Sequence, residues 1–258
     1  MSIYRSYAPL YDGSGQIRFA LLMGQYLREV RARHLVGGRR ALDVACGTGT
    51  LALLLADEGW DVLGVDLSAP MLDQARHKAA TIITAGHTAF AQGDMRHLAE
   101  NPAVPHGSFD LATCTYDSLN YLLTPDDLLA CFSGVAHALA PGGLFVGDMN
   151  TRHFLEFDWG TCEVQEHSGY VQIGQSSFDP ADATSTLVLT GFVGDDEHGY
   201  ERFDEIHVER AYDQATVEAL LRQAGFVVEG AYDSFTFQPP GERTQRIVWV
   251  ARKHVAQL

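Results

Sequence analysis

Hydrophobic and polar positions along this chain follow two different periods. Over residues 15–35, Ile17, Leu21, Leu22, Tyr26 and Val30 recur near helical spacing, which predicts an amphipathic helix ended by Gly37-Gly38. Ala41-Leu42-Asp43-Val44-Ala45 is a short apolar run bounded by glycines, and residues 50–56 after it read as helix: strand, glycine turn, helix. A second strand is predicted at 62–66, with Ser68 as N-cap of a helix through Ala80. Further strands are predicted at 88–91, 109–114 and 144–148. Between the last two, Thr124-Pro125-Asp126-Asp127 opens a helix with the apolar stripe Leu128, Phe132, Val135, Ala136 and Leu139. Five strands separated by helical patterns predict an α/β chain with a doubly wound, mostly parallel sheet.

The pattern breaks at Thr151. Residues 164–173, 184–193 and 200–208 are β-rich runs, with turn-forming residues at Asp179-Pro180 and Gly194-Asp195-Asp196, and 151–210 is read as an antiparallel β insertion. A helix over 213–224, stopped by Gly225, and strands at 226–233 and 246–251 complete a seven-stranded sheet. The expected organisation is a helical cap (1–36), a Rossmann-like core (37–150 and 211–258) and the insertion (151–210).

Composition narrows the partners. The 258 residues carry 18 Lys+Arg against 33 Asp+Glu, a net charge of −15, and the longest basic run is Arg39-Arg40, so a nucleic-acid partner is not expected. The insertion alone holds 13 Asp and Glu against 3 Arg, a net of −10. No apolar stretch reaches the roughly 18 residues of a membrane span, and residues 1–10 have neither a basic nor an apolar leader region, which gives a cytoplasmic reading without a membrane partner. Four cysteines at irregular spacing and scattered histidines without HExxH predict neither a disulfide framework nor a metal site. P-loop and GxSxG patterns are absent.

Gly47-Thr48-Gly49-Thr50-Leu51-Ala52 fits GxGxxA between strand and helix, where bare backbone meets a helix N-terminus. Asp66 closes the second strand 17 residues after Gly49 and can accept both ribose hydroxyls. The pair suits NAD or another adenosine cofactor; the alternative is an ordinary tight turn. The only lysines, Lys78 and Lys253, have Gln74 and Trp249 four residues earlier, so no Tyr-x-x-x-Lys relay of a short-chain reductase exists.

Leu42-Asp43-Val44-Ala45-Cys46-Gly47-Thr48-Gly49-Thr50 resembles the first motif of the class I S-adenosylmethionine-dependent methyltransferases, with Ala45 where that family has glycine. Gln92-Gly93-Asp94-Met95, residues 109–122 and Leu139-Ala140-Pro141-Gly142-Gly143-Leu144 extend the resemblance over nearly the whole chain. It implies S-adenosyl-L-methionine as cofactor, held by Asp43 at its methionine end, Gly47 and Gly49 through backbone approach, Asp66 at the ribose and Asp94 with Met95 at the adenine. Ala45, Cys46, Leu67, Met71, Thr115 and Tyr116 complete the implied cofactor set. Residues 4–12, Asp117-Ser118-Leu119-Asn120-Tyr121 and Asp148-Met149-Asn150-Thr151, with the insertion, are similar to a bacterial group related to small-molecule N-methyltransferases, including those acting on amino sugars. A small-molecule methyl acceptor is implied, an amine before a hydroxyl or phenol, with the insertion as substrate cap; the alternatives are O-methylation and a catalytically silent cofactor-binding protein. A monomer or homodimer is expected.

Methyl transfer is an in-line displacement, so the protein chiefly aligns nucleophile, methyl and sulfur. Strand ends facing the crevice nominate Asn120, Tyr121 and Asn150 beside Tyr116. Tyr7 and Tyr11 can fold over a sulfonium, against a plain packing stripe as the alternative; Tyr4 is read as packing. Period-two alternation puts Phe203, Glu205, His207 and Glu209 on one strand face, so Glu205 and His207 can point together into a cavity, or the face is solvated. Glu209 is expected at the surface. Tyr11, Tyr121, Glu205 and His207 are the catalytic candidates, and Tyr7, Asn120 and Asn150 the substrate-binding ones.

Overall fold

The computed structural model describes residues 4–255 apart from 161, 168 and 196. After turns over 4–16, the chain forms α1 (Ile17–Arg33), β1 (Arg40–Val44), α2 (Thr50–Asp57), β2 (Asp61–Asp66), α3 (Ala69–Thr81), β3 (His87–Gln92), β4 (Phe109–Cys114), α4 (Pro125–Ala138) and β5 (Leu139–Asn150). Four consecutive strands follow, β6 (Cys162–His167), β7 (Tyr170–Asp179), β8 (Thr184–Asp195) and β9 (Gly199–Arg210), then α5 (Gln214–Gln223), β10 (Phe226–Asp233) and β11 (Arg246–Lys253). Helices α3, α4 and α5 start where side chains satisfy orphan amides: Ser68, Thr124 and Asp213 accept from Met71, Asp127 and Thr216.

Seven strands form one sheet in the order β10-β11-β5-β4-β1-β2-β3, with β11 antiparallel to both neighbours and the rest of the pairs parallel. The chain leaves β1 toward β2 and returns to β4 on its other side, so the sheet reverses direction between β1 and β4 and opens a crevice at their carboxyl ends. Period two sends Leu42 and Val44 to the layer with Phe132 of α4 and Leu221 of α5, and Ala41 to the layer with Leu27 of α1 and Leu51 of α2. Both faces are covered, as a parallel sheet requires. Strand β5 begins five residues earlier than its apolar core indicates, because Phe109 pairs with Leu139 before a register shift around Pro141-Gly142-Gly143.

The second sheet is an antiparallel meander, β6-β7-β8-β9. The single run expected over 164–173 is two strands: His167 pairs with Tyr170, and Gly169 at φ +86° turns the chain between them. Of the predicted turn Gly194-Asp195-Asp196, Asp196 lies outside the described residues. On β9 the alternation holds, and it corrects the placing of Glu209. Glu205, His207 and Glu209 are buried while Tyr200 and Ile206 are exposed. Glu209 follows its face inward, where its carboxylate accepts from Asn150 Nδ2 at 2.9 Å.

Candidate functional site

A cavity of about 260 Å³ fills the crevice. Asp43 of β1 is buried, and its Oδ1 accepts from Thr113 Oγ1 at 2.7 Å, leaving Oδ2 without a partner. Burial pushes this carboxyl up to about 7, against the Thr113 hydrogen bond. Asp66 Oδ2 accepts from the Gly47 amide at 2.7 Å and Oδ1 from the Ser68 amide at 2.8 Å, so the acid that closes β2 braces the glycine turn. Gly47 has φ +53°, and a side chain there would meet nothing within 4 Å: it faces open space in the cavity wall. Gly49 does a different job. It is outside the wall, and a Cβ on it would lie 2.8 Å from Phe90 and 2.9 Å from Ala75, so it admits close packing of the turn.

The other expected cofactor residues, Ala45, Cys46, Leu67, Met71, Asp94, Met95, Thr115 and Tyr116, all line the cavity. Asp94 accepts from the backbone amide and guanidinium of Arg96, which hold its carboxyl below the usual range. Ala45 sits at φ +54°, and Tyr116 and Asp117 at +61° and +55°, three non-glycine residues in the left-handed region beside one crevice. The Tyr116 amide donates to buried Asp148 Oδ1 at 2.7 Å. Arg246 joins Asp148 at 2.5 Å to Asp117 at 3.1 Å and lies over Phe19, which stacks on Tyr116. This buried ion pair locks the loop after β4.

A second cavity of about 240 Å³ lies on the inner face of the four-stranded sheet and shares Tyr4, Tyr11, Gln16, Tyr116 and Tyr121 with the first. At the junction the Tyr121 hydroxyl is 2.8 Å from Tyr4 Oη and 3.0 Å from His207 Nδ1. His207 Nε2 lies 3.4 Å from Glu205 Oε2, outside hydrogen-bonding geometry. Tyr7, Asn150, His207 and Glu209 line this second chamber. Burial, then the adjacent Asp117 carboxylate, pushes the Glu209 carboxyl up.

Two nominated side chains are turned elsewhere. Glu205 is on neither cavity wall, because its carboxylate accepts the backbone amides of Tyr4, Ser6 and Tyr7. Asn120 is also absent from both walls: its amide donates to the Asn150 and Arg210 carbonyls and its Oδ1 accepts the Asn150 amide. It ties the loop after β4 to β5 and β9. Tyr4, read as packing, lines both cavities. Sequence reasoning also missed Asp12, which accepts from Thr48 Oγ1 at 2.7 Å and Lys78 Nζ at 2.6 Å and pins the amino-terminal segment to the glycine turn.

Residues 41–143 match the family described as a methyltransferase domain. A putative methyltransferase of Geobacillus sp. (strain WCH70) is 34% identical over 84% of this chain and 85% of its own. The chain belongs to the class I S-adenosylmethionine-dependent methyltransferases. It is also 29% identical, over 73% of its length and 75% of the relative, to the dTDP-3-amino-3,4,6-trideoxy-α-D-glucopyranose N,N-dimethyltransferase of Streptomyces venezuelae. The crystal structure of an S-adenosylmethionine-dependent methyltransferase from Clostridium acetobutylicum ATCC 824 superimposes with a TM-score of 0.83 at 27% identity, covering 98% of this chain and 100% of that one. The residues of this methyltransferase fit its cofactor. An unpartnered carboxylate oxygen on Asp43 answers an ammonium, and the bare backbone at Gly47 leaves room for a ligand beside the α2 N-terminus.

Proposed function

We propose that the protein transfers a methyl group from S-adenosylmethionine to the nitrogen of a small-molecule amine. The observation that carries this reading is the meeting of the two cavities at Tyr4, Tyr11 and Tyr121, with His207 hydrogen-bonded to Tyr121 behind them. In this reading Asp43 holds the cofactor's ammonium group, Asp66 the ribose hydroxyls, Gly47 the backbone approach, and Asp94 with Met95 the adenine. The bound cofactor supplies an electrophilic methyl on a sulfonium.

The acceptor would occupy the second chamber, which meets the cofactor cavity at that junction. Transfer would exchange the cofactor's S–CH₃ bond for an N–CH₃ bond, leaving a thioether, and the amine would give up one proton. Tyr121 accepts that proton on its hydroxyl oxygen while donating its own to His207 Nδ1, and Glu205, 3.4 Å from Nε2, stabilises the imidazolium that results. Burial, then Glu209, pushes the Tyr121 hydroxyl up, so it remains a neutral relay. The rings of Tyr4 and Tyr11, 5.9 Å apart, line the junction where aromatic faces favour a sulfonium. Tyr7 and Asn150 line the acceptor side, and Glu205 acts as a positioning residue. The two sheets divide the labour: the seven-stranded core carries the cofactor, and the segment 151–210 caps the acceptor.

Similarity to the amino-sugar N,N-dimethyltransferase supports nitrogen as the receiving atom. The test is incubation of the purified protein with S-adenosylmethionine and a panel of primary amines, amino sugars, catechols, carboxylates and total RNA, read by mass. Addition of a methyl group to amines alone supports the proposal. Methylation of a phenol moves the acceptor to oxygen, and methylation of a carboxylate or RNA without amine turnover defeats it.

A further inference from the structure

The second chamber has a wall whose hydrogen-bonding direction is fixed by one residue. Glu163 Oε1 accepts from Gln165 Nε2 at 2.9 Å, and Gln165 Oε1 in turn accepts from Gln172 Nε2 at 2.7 Å. With Glu163 Oε1 as the acceptor, the Gln165 amide turns its Nε2 to Glu163 and its Oε1 to Gln172. The outcome is that Gln172, buried to 7% exposure in the chamber wall, keeps its Oε1 without a partner. A buried carbonyl left in that state has lost its water without gaining a partner, a cost that a hydrogen donor on a ligand relieves. Glu209, in the same wall, adds a second acceptor-bearing group.

Positive charge in this chamber is already taken. Arg246 is the only Arg or Lys in its lining among the described residues, and its guanidinium is held by Asp148 and Asp117. A diphosphate entering here would meet the carboxylate of Glu163 and the Asp117 already paired with Arg246, without a free cation to neutralise it.

We propose that the chamber is built for a free amine rich in N–H and O–H donors, bound through Gln172 and Glu209, and that it rejects acceptors linked to a nucleoside diphosphate. This deepens, and rests on, the reading of the protein as an amine methyltransferase. It separates this chain from the relative whose name specifies a dTDP-linked sugar.

The test uses full-length protein saturated with S-adenosylhomocysteine and calorimetric titration with matched probes: free amino hexoses, the same sugars as thymidine diphosphate esters, and thymidine diphosphate alone. The free sugars are expected to bind at least tenfold more tightly than their esters. Gln172→Leu is expected to weaken free-sugar binding about tenfold, and Gln165→Leu to weaken it by releasing the Gln172 amide to turn. Cofactor affinity stays unchanged in both variants. Tighter binding of the esters, displacement of the sugars by thymidine diphosphate, or no binding of any free amine overturns the inference. Methyl transfer is read separately by mass with S-adenosylmethionine, so binding without turnover counts against amine methylation and leaves the donor preference standing.

Discussion

The carboxylate of Glu205 accepts the backbone amide of Tyr4 at 2.8 Å, a contact across 201 residues of chain, and the same carboxylate takes the amides of Ser6 and Tyr7. One side chain on the second sheet therefore holds the segment that brings Tyr4 and Tyr11 to the cavity junction. Glu205→Ala is expected to lose roughly 1.5–3 kcal/mol, the scale of hydrogen bonds to a charged group, read as a lower Tm. Faster amide exchange over 4–16 should accompany it. Burial opposes the charge on Glu205, but the contacts with His207 and the amides of Tyr4 and Tyr7 hold its carboxyl below the ordinary value of 4.5. The anchorage is thus fully present above that ordinary value and is lost as pH falls through the lowered one. A segment that exchanges no faster in Glu205→Ala would refute this role.

Asp43 titrates the other way. Its folded value, about 7, lies above the ordinary 3.8, so the ligand-free fold favours the protonated acid and loses stability as pH rises from 3.8 toward 7. A cofactor ammonium needs the ionised form. Affinity for S-adenosylhomocysteine is therefore expected to rise between pH 6 and 8, by at most about tenfold per pH unit below the carboxyl's value. Calorimetry on wild type and Asp43→Asn checks this; the variant should bind weakly with a flat profile. A flat wild-type profile would remove Asp43 from the cofactor's ammonium.

The sheet and the crevice were legible because their signals are local. Apolar runs, glycines and N-caps lie within a few residues of one another, and Asp43 and Asp66 reach the crevice from strand ends while Gly47 does so from the turn after β1. Long-range pairings had no such signal. Nothing around Arg246 announces that it joins Asp117 to Asp148, and nothing around Lys78 announces Asp12. Period two correctly put Glu205, His207 and Glu209 on one face, but alternation alone does not say which face is covered. For that reason a surface reading of Glu209 follows from the sequence and is corrected by its burial. Asn120 marks a similar limit: its position in a matched segment was visible, whereas its saturation by three backbone groups became visible only once β5 and β9 were brought beside it.

Ala45 offers a test of backbone strain. At φ +54° its methyl is held where an L-residue is disfavoured by about 1–2 kcal/mol and glycine is not. Ala45→Gly gains that relief against a loss of up to about 1 kcal/mol from the freer unfolded chain, so a modestly higher Tm is expected. Gly49→Ala should lower it, since both its φ of +72° and the approach of Phe90 are unfavourable to a methyl. A destabilised Ala45→Gly would mean that the methyl's packing in the cavity wall outweighs the strain.

The proposed proton path makes the two tyrosines separable. Tyr121 has a hydroxyl between Tyr4 and His207, whereas Tyr11 contributes ring contacts with Tyr4 and Tyr7. Tyr121→Phe is expected to lower kcat roughly a hundredfold or more, the usual scale of general acid–base assistance, with cofactor affinity retained. Tyr11→Phe keeps its ring and should change kcat far less. His207→Gln should fall like Tyr121→Phe, and the double variant should be little worse than either single one, because groups acting in one relay are not additive. The rate in wild type should also rise with pH as more of the amine is neutral, and this rise should persist in Tyr121→Phe, because it belongs to the acceptor. Independent, additive losses in Tyr121→Phe and His207→Gln would exclude the relay and leave both side chains as parts of the chamber wall.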